Sequence, residues 1–159
     1  MSTLYVRDGD SYREAEGREV LHQAQAVIAK RYRAGTPCLE SPARTAEFLK
    51  LKLGALDYEI FALLALDSRH RLIQYVELFR GTVDGASVHP REVVIELLRL
   101  GAAACILCHN HPSFNSSPSQ ADELIMRRLT EALALVDIRV LDHLIIGETV
   151  SSFADLGLL

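Results

Sequence analysis

The chain has 159 residues, of which 49% are hydrophobic and 24% are charged, and this balance suits one globular domain with a core of its own. Its formal net charge of -4 argues against a large nucleic-acid footprint, because such surfaces are usually basic. We recognise no secretory signal and no apolar stretch of membrane-spanning length, and two of the three cysteines lie in a predicted buried strand. We therefore expect a cytoplasmic protein with reduced thiols and no membrane partner.

The first forty residues, 1–40, predict a helical extension to the main domain, which we place at 41–159. Residues 1–9 are expected to be an irregular start. Over residues 11–34 apolar side chains recur at helical spacing, and basic side chains cluster at the end, where cations suit the helix dipole. A Gly-Thr-Pro segment at 35–37 ends this helix. We expect the helix to pack on the core or on a second copy of the chain, so a homodimer is one possible assembly.

The rest of the chain predicts an α/β fold. Ser41 and Pro42 open a helix that runs to Leu53, with serine as the N-cap and proline in the first turn. The apolar run at 58–66 predicts a buried strand, and residues 71–79 a second strand that pairs with it. The remaining predicted elements are a helix at 90–100, a buried strand at 103–108, a helix at 120–136 and short strands at 138–141, 143–146 and 150–153. Strands and helices in this order indicate a mixed β-sheet flanked by helices.

The residues that suggest chemistry lie between the strand ending at Cys108 and the helix beginning at Gln120. His109 and His111 leave the strand two residues apart, so extended backbone points both imidazoles the same way. Asp122, in the first turn of the helix, can return a carboxylate oxygen to them. Two histidines and a carboxylate are a common zinc set that leaves the fourth position to water, and zinc lowers the pKa of that water to about 7.

Each of these residues also has an ordinary structural explanation. Ser119 and Asp122 are spaced as a capping box at a helix start, and Asn110, His111 and Pro112 can form a turn. Capping, however, gives no reason for two histidines on one side of the preceding strand. The combination therefore favours a metal site over a turn and a cap alone.

The pattern that starts at His109, written H-x-H-P-x6-S-x-x-D, resembles the JAMM (MPN-type) metalloprotease motif. Over residues 41–159 the chain resembles the RadC family, through segments at 77–82, 86–94, 109–113 and 141–147. The resemblance implies a JAMM/MPN-like domain of cytidine-deaminase-like architecture, with zinc held by His109, His111 and Asp122. The family usually has glycine where this chain has Phe114, so we expect the bulky ring to narrow the approach to the metal and act as a substrate gate.

The resemblance also implies which groups handle protons and charge. JAMM proteins place a general-base glutamate at the start of an apolar strand before the histidines, and Glu59 occupies that place. A carboxylate there is costly unless it has a task or a partner, so we expect Glu59 to act as the general base. Glu77 and Glu92 are the fallback candidates. Ser119 is implied as a hydroxyl donor that stabilises an oxyanion, beside its role as a cap.

The other polar residues near the motif are given structural roles. Asn110 is expected to fix the loop through local hydrogen bonds. His22, His70 and His89 are assigned ordinary positions on a helix, in a turn and before a helix start. His143 is either a group behind a metal ligand or a core histidine, and we favour the core position.

These features predict a zinc-dependent hydrolase that cleaves an amide or isopeptide bond of a protein or peptide substrate. The H-E-x-x-H pattern of other zinc proteases is missing, and so is the H-x-E with P-C-x-x-C pattern of nucleobase deaminases. One alternative is a DNA-associated protein, either a nuclease or a binding accessory, because the RadC family has carried a DNA-repair label. The letters H-N-H at 109–111 are poor evidence for an HNH nuclease, whose key residues spread over a longer unit, and the acidic balance disfavours nucleic acid. The other alternative is a zinc-binding module without turnover.

Overall fold

The computed structural model describes residues 3–31, 42–81 and 87–159, with the backbone alone at 28–31. In these ranges strands and helices alternate along most of the chain. The elements are β1 (Tyr5–Asp8), β2 (Ser11–Glu14), α1 (Gly17–Arg31), α2 (Pro42–Leu53), β3 (Ile60–Leu66), β4 (Leu72–Arg80), α3 (Pro90–Arg99), β5 (Ala104–Asn110), α4 (Gln120–Ala134), β6 (Arg139–Ile146), β7 (Val150–Ser152) and α5 (Phe153–Leu156).

The main sheet has five strands in the order β4-β3-β5-β6-β7. The pairs β4–β3, β3–β5 and β6–β7 are antiparallel. The first of these pairs is the hairpin that the sequence predicts. The pair β5–β6 is parallel, because α4 carries the chain back across the sheet between them. The predicted class, an α/β fold with a mixed sheet flanked by helices, is confirmed.

The strand β3 is buried along its whole length, which explains why its sequence is apolar at every position rather than at alternate ones. On one face of the sheet α2 covers Cys108, Ala62 and their neighbours. On the other face α3 and α4 cover a second cluster that includes Phe61, Leu107 and Phe153. We call this second side the α4 face, and His109 lies on it because His109 alternates with Cys108 and pairs with Phe61.

The predicted irregular start and the predicted helix over 11–34 are wrong at the N-terminus. Residues of β1 and β2 form an antiparallel hairpin, and Gly9 turns the chain between them at φ 61°, a left-handed conformation that glycine adopts at little cost. The helix α1 begins only at Gly17 and contains the apolar positions from Val20 on that motivated the prediction. The predicted helix stop at 35–37 and the predicted cap at Ser41 lie outside the described residues.

Near the C-terminus, two of the predicted short strands form a single one. The strand β6 is continuous from Arg139 to Ile146, and its register against β5 shifts between Val140 and Asp142, so Leu141 forms a bulge. The break in the sequence pattern therefore marks a bulge and not a strand end. Phe153 was placed at the end of the last strand, but it begins the short helix α5.

None of the described helices combines the length and the apolar composition that crossing a membrane requires.

Candidate metal centre

Three side chains meet where β5 ends. His109 is the penultimate residue of β5, and His111 follows the end of that strand. Asp122 lies in the first turn of α4. The Nε2 atoms of His109 and His111 are 2.9 Å apart. Asp122 places Oδ1 3.3 Å from His109 Nε2 and Oδ2 3.7 Å from His111 Nε2. Within the described ranges these three residues form a group that can hold a metal ion, and they are the three that the motif predicts.

The tautomer of His111 follows from its neighbour. His111 Nδ1 lies 2.6 Å from the main-chain oxygen of Asn115, and a carbonyl oxygen only accepts hydrogen bonds. Nδ1 therefore carries the hydrogen, and in a neutral imidazole Nε2 then presents a lone pair to His109. The backbone supports this orientation, since the amide of His111 donates to the oxygen of Ile146 at 2.9 Å.

The distances between the three ligand atoms fit one metal ion. Ligand atoms around a tetrahedral zinc with bonds of about 2.0 to 2.1 Å lie about 3.3 Å apart. His109 Nε2 lies 2.9 Å from His111 Nε2 and 3.3 Å from Asp122 Oδ1, and one ligand atom from each of the three residues lies within 4.8 Å of the others. The lone pair of His111 Nε2 points at His109, so either a hydrogen or a cation must lie between the two rings. The donor set, two imidazoles and one carboxylate, is the chemistry of zinc and similar divalent metals.

Asp122 is both a helix cap and part of the cluster. Its Oδ2 accepts hydrogen bonds from the amide of Ser119 at 2.8 Å and from the hydroxyl of Ser119 at 2.7 Å, which leaves Oδ1 for His109. Burial by itself raises the pKa of Asp122, but the hydrogen bond and charge of His109, with the bonds from Ser119, hold that pKa well below its ordinary value. The carboxylate is therefore ionised at neutral pH, as a metal ligand must be. The capping box and the metal cluster are parts of one arrangement.

Residues 39–158 match a family described as the RadC-like JAB domain. The chain belongs to this family. It is 53% identical over 139 residues to a UPF0758 protein of Vibrio cholerae, a match that covers 87% of this chain and 88% of that protein. A UPF0758 protein of Marinobacter nauticus is 52% identical over 157 residues, or 98% of this chain and 70% of the relative. These names state no activity.

Some relatives extend well beyond the matched region. The UPF0758 protein Tgr7_0100 of Thioalkalivibrio sulfidiphilus is 52% identical over 149 residues, which are 94% of this chain but 66% of that protein. Membership of the RadC-like JAB family confirms the resemblance seen in the sequence and supports a metallohydrolase fold.

Glu59 precedes β3 and is half-buried. Phe61 pairs with His109, so alternation along the strand places Glu59 on the α4 face as well. The main-chain oxygen of Glu59 accepts a hydrogen bond from the amide of Gly81 at 2.9 Å. In this RadC-like JAB domain Glu59 therefore lies on the same face of the sheet as the cluster. The role of Glu59 in proton transfer stays a prediction.

The prediction for Asn110 is wrong in one respect. Its hydrogen bonds are not local, because its side chain points away from the histidines and reaches the start of β3. Asn110 Oδ1 accepts from the amide of Ile60 at 2.8 Å, and Asn110 Nδ2 donates to the oxygen of Tyr58 at 2.9 Å. The two partners flank Glu59. The side chain between the two histidines therefore fixes the backbone of the proposed general base.

The two fallback glutamates are less well placed. Glu77 pairs with Ala62, so it lies on the face of the sheet opposite to the α4 face, where it accepts a hydrogen bond from the hydroxyl of Tyr75 at 3.1 Å. Glu92 is exposed in the first turn of α3. Neither shares the register position that places Glu59 on the α4 face.

Phe114 adopts a backbone conformation that is unusual for a bulky residue. Its φ is 62°, in the left-handed region, and its side chain is 58% exposed. Its main-chain oxygen accepts from the amide of Glu148 at 2.7 Å, and a Cβ on Gly147 would come within 2.4 Å of that oxygen. This conformation explains physically why a glycine suits the position. The role of the ring as a substrate gate stays a prediction.

Replacing Phe114 with glycine is expected to raise the free energy of unfolding by roughly 0.5 to 1 kcal/mol. Relief of left-handed strain exceeds the added entropy of the unfolded chain, and the exposed ring contributes little burial. Urea unfolding measures the change. Phe114→Ala is the matched control, since it removes the same ring but keeps a Cβ in the strained conformation, and equal stability of the two variants would contradict the explanation.

Sequence reasoning underestimated His143. The residue is fully buried, as a core histidine would be, but its Nε2 lies 2.8 Å from Nδ1 of His109. The side chain of the preceding Asp142 accepts from the amide of His143 at 2.7 Å, from the amide of Ala154 at 3.0 Å and from the hydroxyl of Ser152 at 2.6 Å. The segment at 141–147 that resembles the family includes Asp142 and His143. The contact of His143 with His109 joins positions 34 residues apart, so no local sequence pattern could show it.

Proposed function

We propose that this RadC-like JAB domain is a zinc-dependent hydrolase that cleaves an amide or isopeptide bond in a protein or peptide substrate. The observation that carries the proposal is the convergence of two imidazole nitrogens and an ionised carboxylate within 3.7 Å of one another. Family membership supports the metallohydrolase fold on which the proposal is built.

His109, His111 and Asp122 would hold the metal, and zinc bound there supplies hydroxide at neutral pH and polarises a carbonyl oxygen. Glu59 takes the proton released by the attacking water and passes it to the nitrogen of the leaving amine. Water is consumed, the carbon–nitrogen bond breaks, and a carboxylate and an amine are formed. Glu59 needs no direct bond to the metal for this role.

Ser119 has one hydroxyl hydrogen, which it donates to Oδ2 of Asp122. Its first role in the proposal is therefore to orient the carboxylate ligand. For Ser119 to stabilise an oxyanion, as the motif implies, that hydrogen must turn from Asp122 to the substrate oxygen.

Phe114, at the turn after His111, is proposed to limit the size of the substrate. Phe114→Gly should therefore alter the range of substrate sizes and leave the zinc content unchanged.

Replacing His109 with alanine is expected to abolish stoichiometric zinc binding and hydrolysis together, because it removes the buried ligand at the centre of the cluster. Elemental analysis of zinc-supplemented protein measures the metal. Hydrolysis of model isopeptide, amide and DNA substrates, with and without a chelator, measures the activity.

His22→Ala is the matched control, since His22 is an exposed histidine on α1 outside the cluster. Full zinc in the His109→Ala protein would refute the ligand set. Zinc-dependent cleavage of DNA but not of isopeptides would replace the proposed substrate class, and bound zinc without turnover would indicate a binding module.

A further inference from the structure

A second histidine lies directly behind the metal cluster. His143 is in β6, two residues before Ile145, which pairs with His109, so both histidines face the same side of the sheet. The side chain of His143 is fully buried, and its Nε2 is 2.8 Å from His109 Nδ1. This nitrogen of His109 is the one that points away from His111 and Asp122.

The surroundings of His143 are aromatic and apolar. Its ring lies between two aromatic rings, with centroid distances of 5.9 Å to Phe61 and 4.7 Å to Phe153. His143 Nδ1 is also buried, and it has no hydrogen-bond partner among the described residues. A buried polar atom without a partner is rare in folded proteins and calls for a reason.

The positions of the hydrogens follow if His109 binds a metal through Nε2. That atom must then present a lone pair, so the single hydrogen of neutral His109 is on Nδ1. It is donated to His143 Nε2, and the hydrogen of neutral His143 is consequently on the buried Nδ1. The arrangement leaves one N–H unpaired in an apolar pocket in order to supply an acceptor to His109.

We infer that His143 is a positioning residue for the metal centre: it accepts the hydrogen bond of His109 Nδ1 and so fixes the tautomer and the ring orientation of that ligand. The inference rests on the metal centre proposed above. The oxygen of Asn115 does the same for His111. Ligand histidines usually donate to a carboxylate, a carbonyl or water. A neutral imidazole in that place adds no negative charge, so a divalent cation with one carboxylate ligand stays a strong electrophile.

Two amide substitutions of equal polarity separate this role from simple packing. In His143→Gln the side-chain oxygen can take the place of Nε2, whereas in His143→Asn the shorter side chain does not reach His109. Zinc affinity of the whole chain is measured by competition with a chromophoric chelator at fixed pH. We expect His143→Asn to lose about 10- to 100-fold in zinc affinity, the range found for partners of metal-binding histidines, and His143→Gln to stay within about threefold of the parent.

Phe153→Leu is the matched control, because it loosens the same pocket and leaves the hydrogen bond. It is expected to melt earlier and to keep the zinc affinity of the parent. A folded His143→Asn protein with parental affinity, or an equal loss in Phe153→Leu, would overturn the inference. Histidine nitrogen NMR of the zinc-loaded parent gives an independent answer if His143→Asn does not fold, since a His109 without hydrogen on Nδ1 would also overturn it.

The outcome for the parent protein separates this inference from the proposed function. A parent that binds zinc but hydrolyses nothing would refute the hydrolase, while the affinities of the Asn and Gln variants would still decide the role of His143. A parent that binds no divalent metal would refute the metal centre, and the inference with it.

Discussion

Replacing Glu59 with glutamine is expected to lower the rate of hydrolysis by about 10²-fold or more and to leave the zinc content unchanged. Glutamine keeps the size and hydrogen bonding of the side chain, but it cannot accept a proton at neutral pH. The register of β3 against β5 brings Glu59 to the face that carries His109, and the group of described residues that can hold a metal does not include Glu59. Zinc content and rate should be measured on the same preparation.

Two other glutamates of this RadC-like JAB domain provide matched controls. Glu92→Gln removes an exposed carboxylate on α3, and Glu77→Gln removes one on the opposite face of the sheet. Both should keep zinc and rate. Loss of zinc in Glu59→Gln would make Glu59 a ligand and would put the assignment of Asp122 in question. Survival of both zinc and rate would mean that the proton carrier is another group.

The stability of the Glu59→Gln protein is expected to change little or to rise. Removing a half-buried negative charge lowers the cost of desolvation, and the main-chain oxygen of Glu59 keeps its bond from the amide of Gly81. Equal or better stability would show that a lost rate is not a consequence of unfolding.

The sequence predicted that His109, His111 and Asp122 lie together because its signal is local. The separation of His109 and His111 by one residue, at the end of an apolar run, follows from strand geometry, and Asp122 follows from a capping pattern. The buried strand β3 and the amphipathic helices α3 and α4 were predicted for the same reason. In each case the pattern that specifies the element lies within the element.

The features that were missed depend on contacts between distant parts of the chain. Asn110 binds residues about fifty positions earlier, and His143 contacts His109 from a neighbouring parallel strand. Neither contact leaves a periodic pattern in the sequence. The N-terminal hairpin was missed for another reason: a helical pattern that starts at Val20 was extended backwards to Ser11, over the residues that form β2, and the turn at Gly9 was taken as part of an irregular start.

Replacing Asn110 with alanine is expected to lower the free energy of unfolding by about 2 to 4 kcal/mol. Asn110 is 2% exposed, and its removal leaves the amide of Ile60 and the oxygen of Tyr58 without their partner. Each buried group deprived of its partner costs about 1 to 3 kcal/mol. For a chain of this length the melting temperature should fall by about 5 to 15 °C.

The same variant tests whether Asn110 links the fold to the proposed chemistry. Its two bonds fix the residues on either side of Glu59, while the side chain of His109, a proposed metal ligand, lies on the opposite face of β5. Below its melting temperature, folded Asn110→Ala protein should therefore keep its zinc and hydrolyse more slowly, because Glu59 is no longer held in place.

Asn115→Ala is the matched control. It removes an exposed asparagine whose Oδ1, among its described bonds, accepts only from the amide of Ser117, and it should lower the free energy of unfolding by less than about 1 kcal/mol. Equal losses of stability in the two variants would refute the role assigned to Asn110, and so would an Asn110→Ala protein with the parental rate.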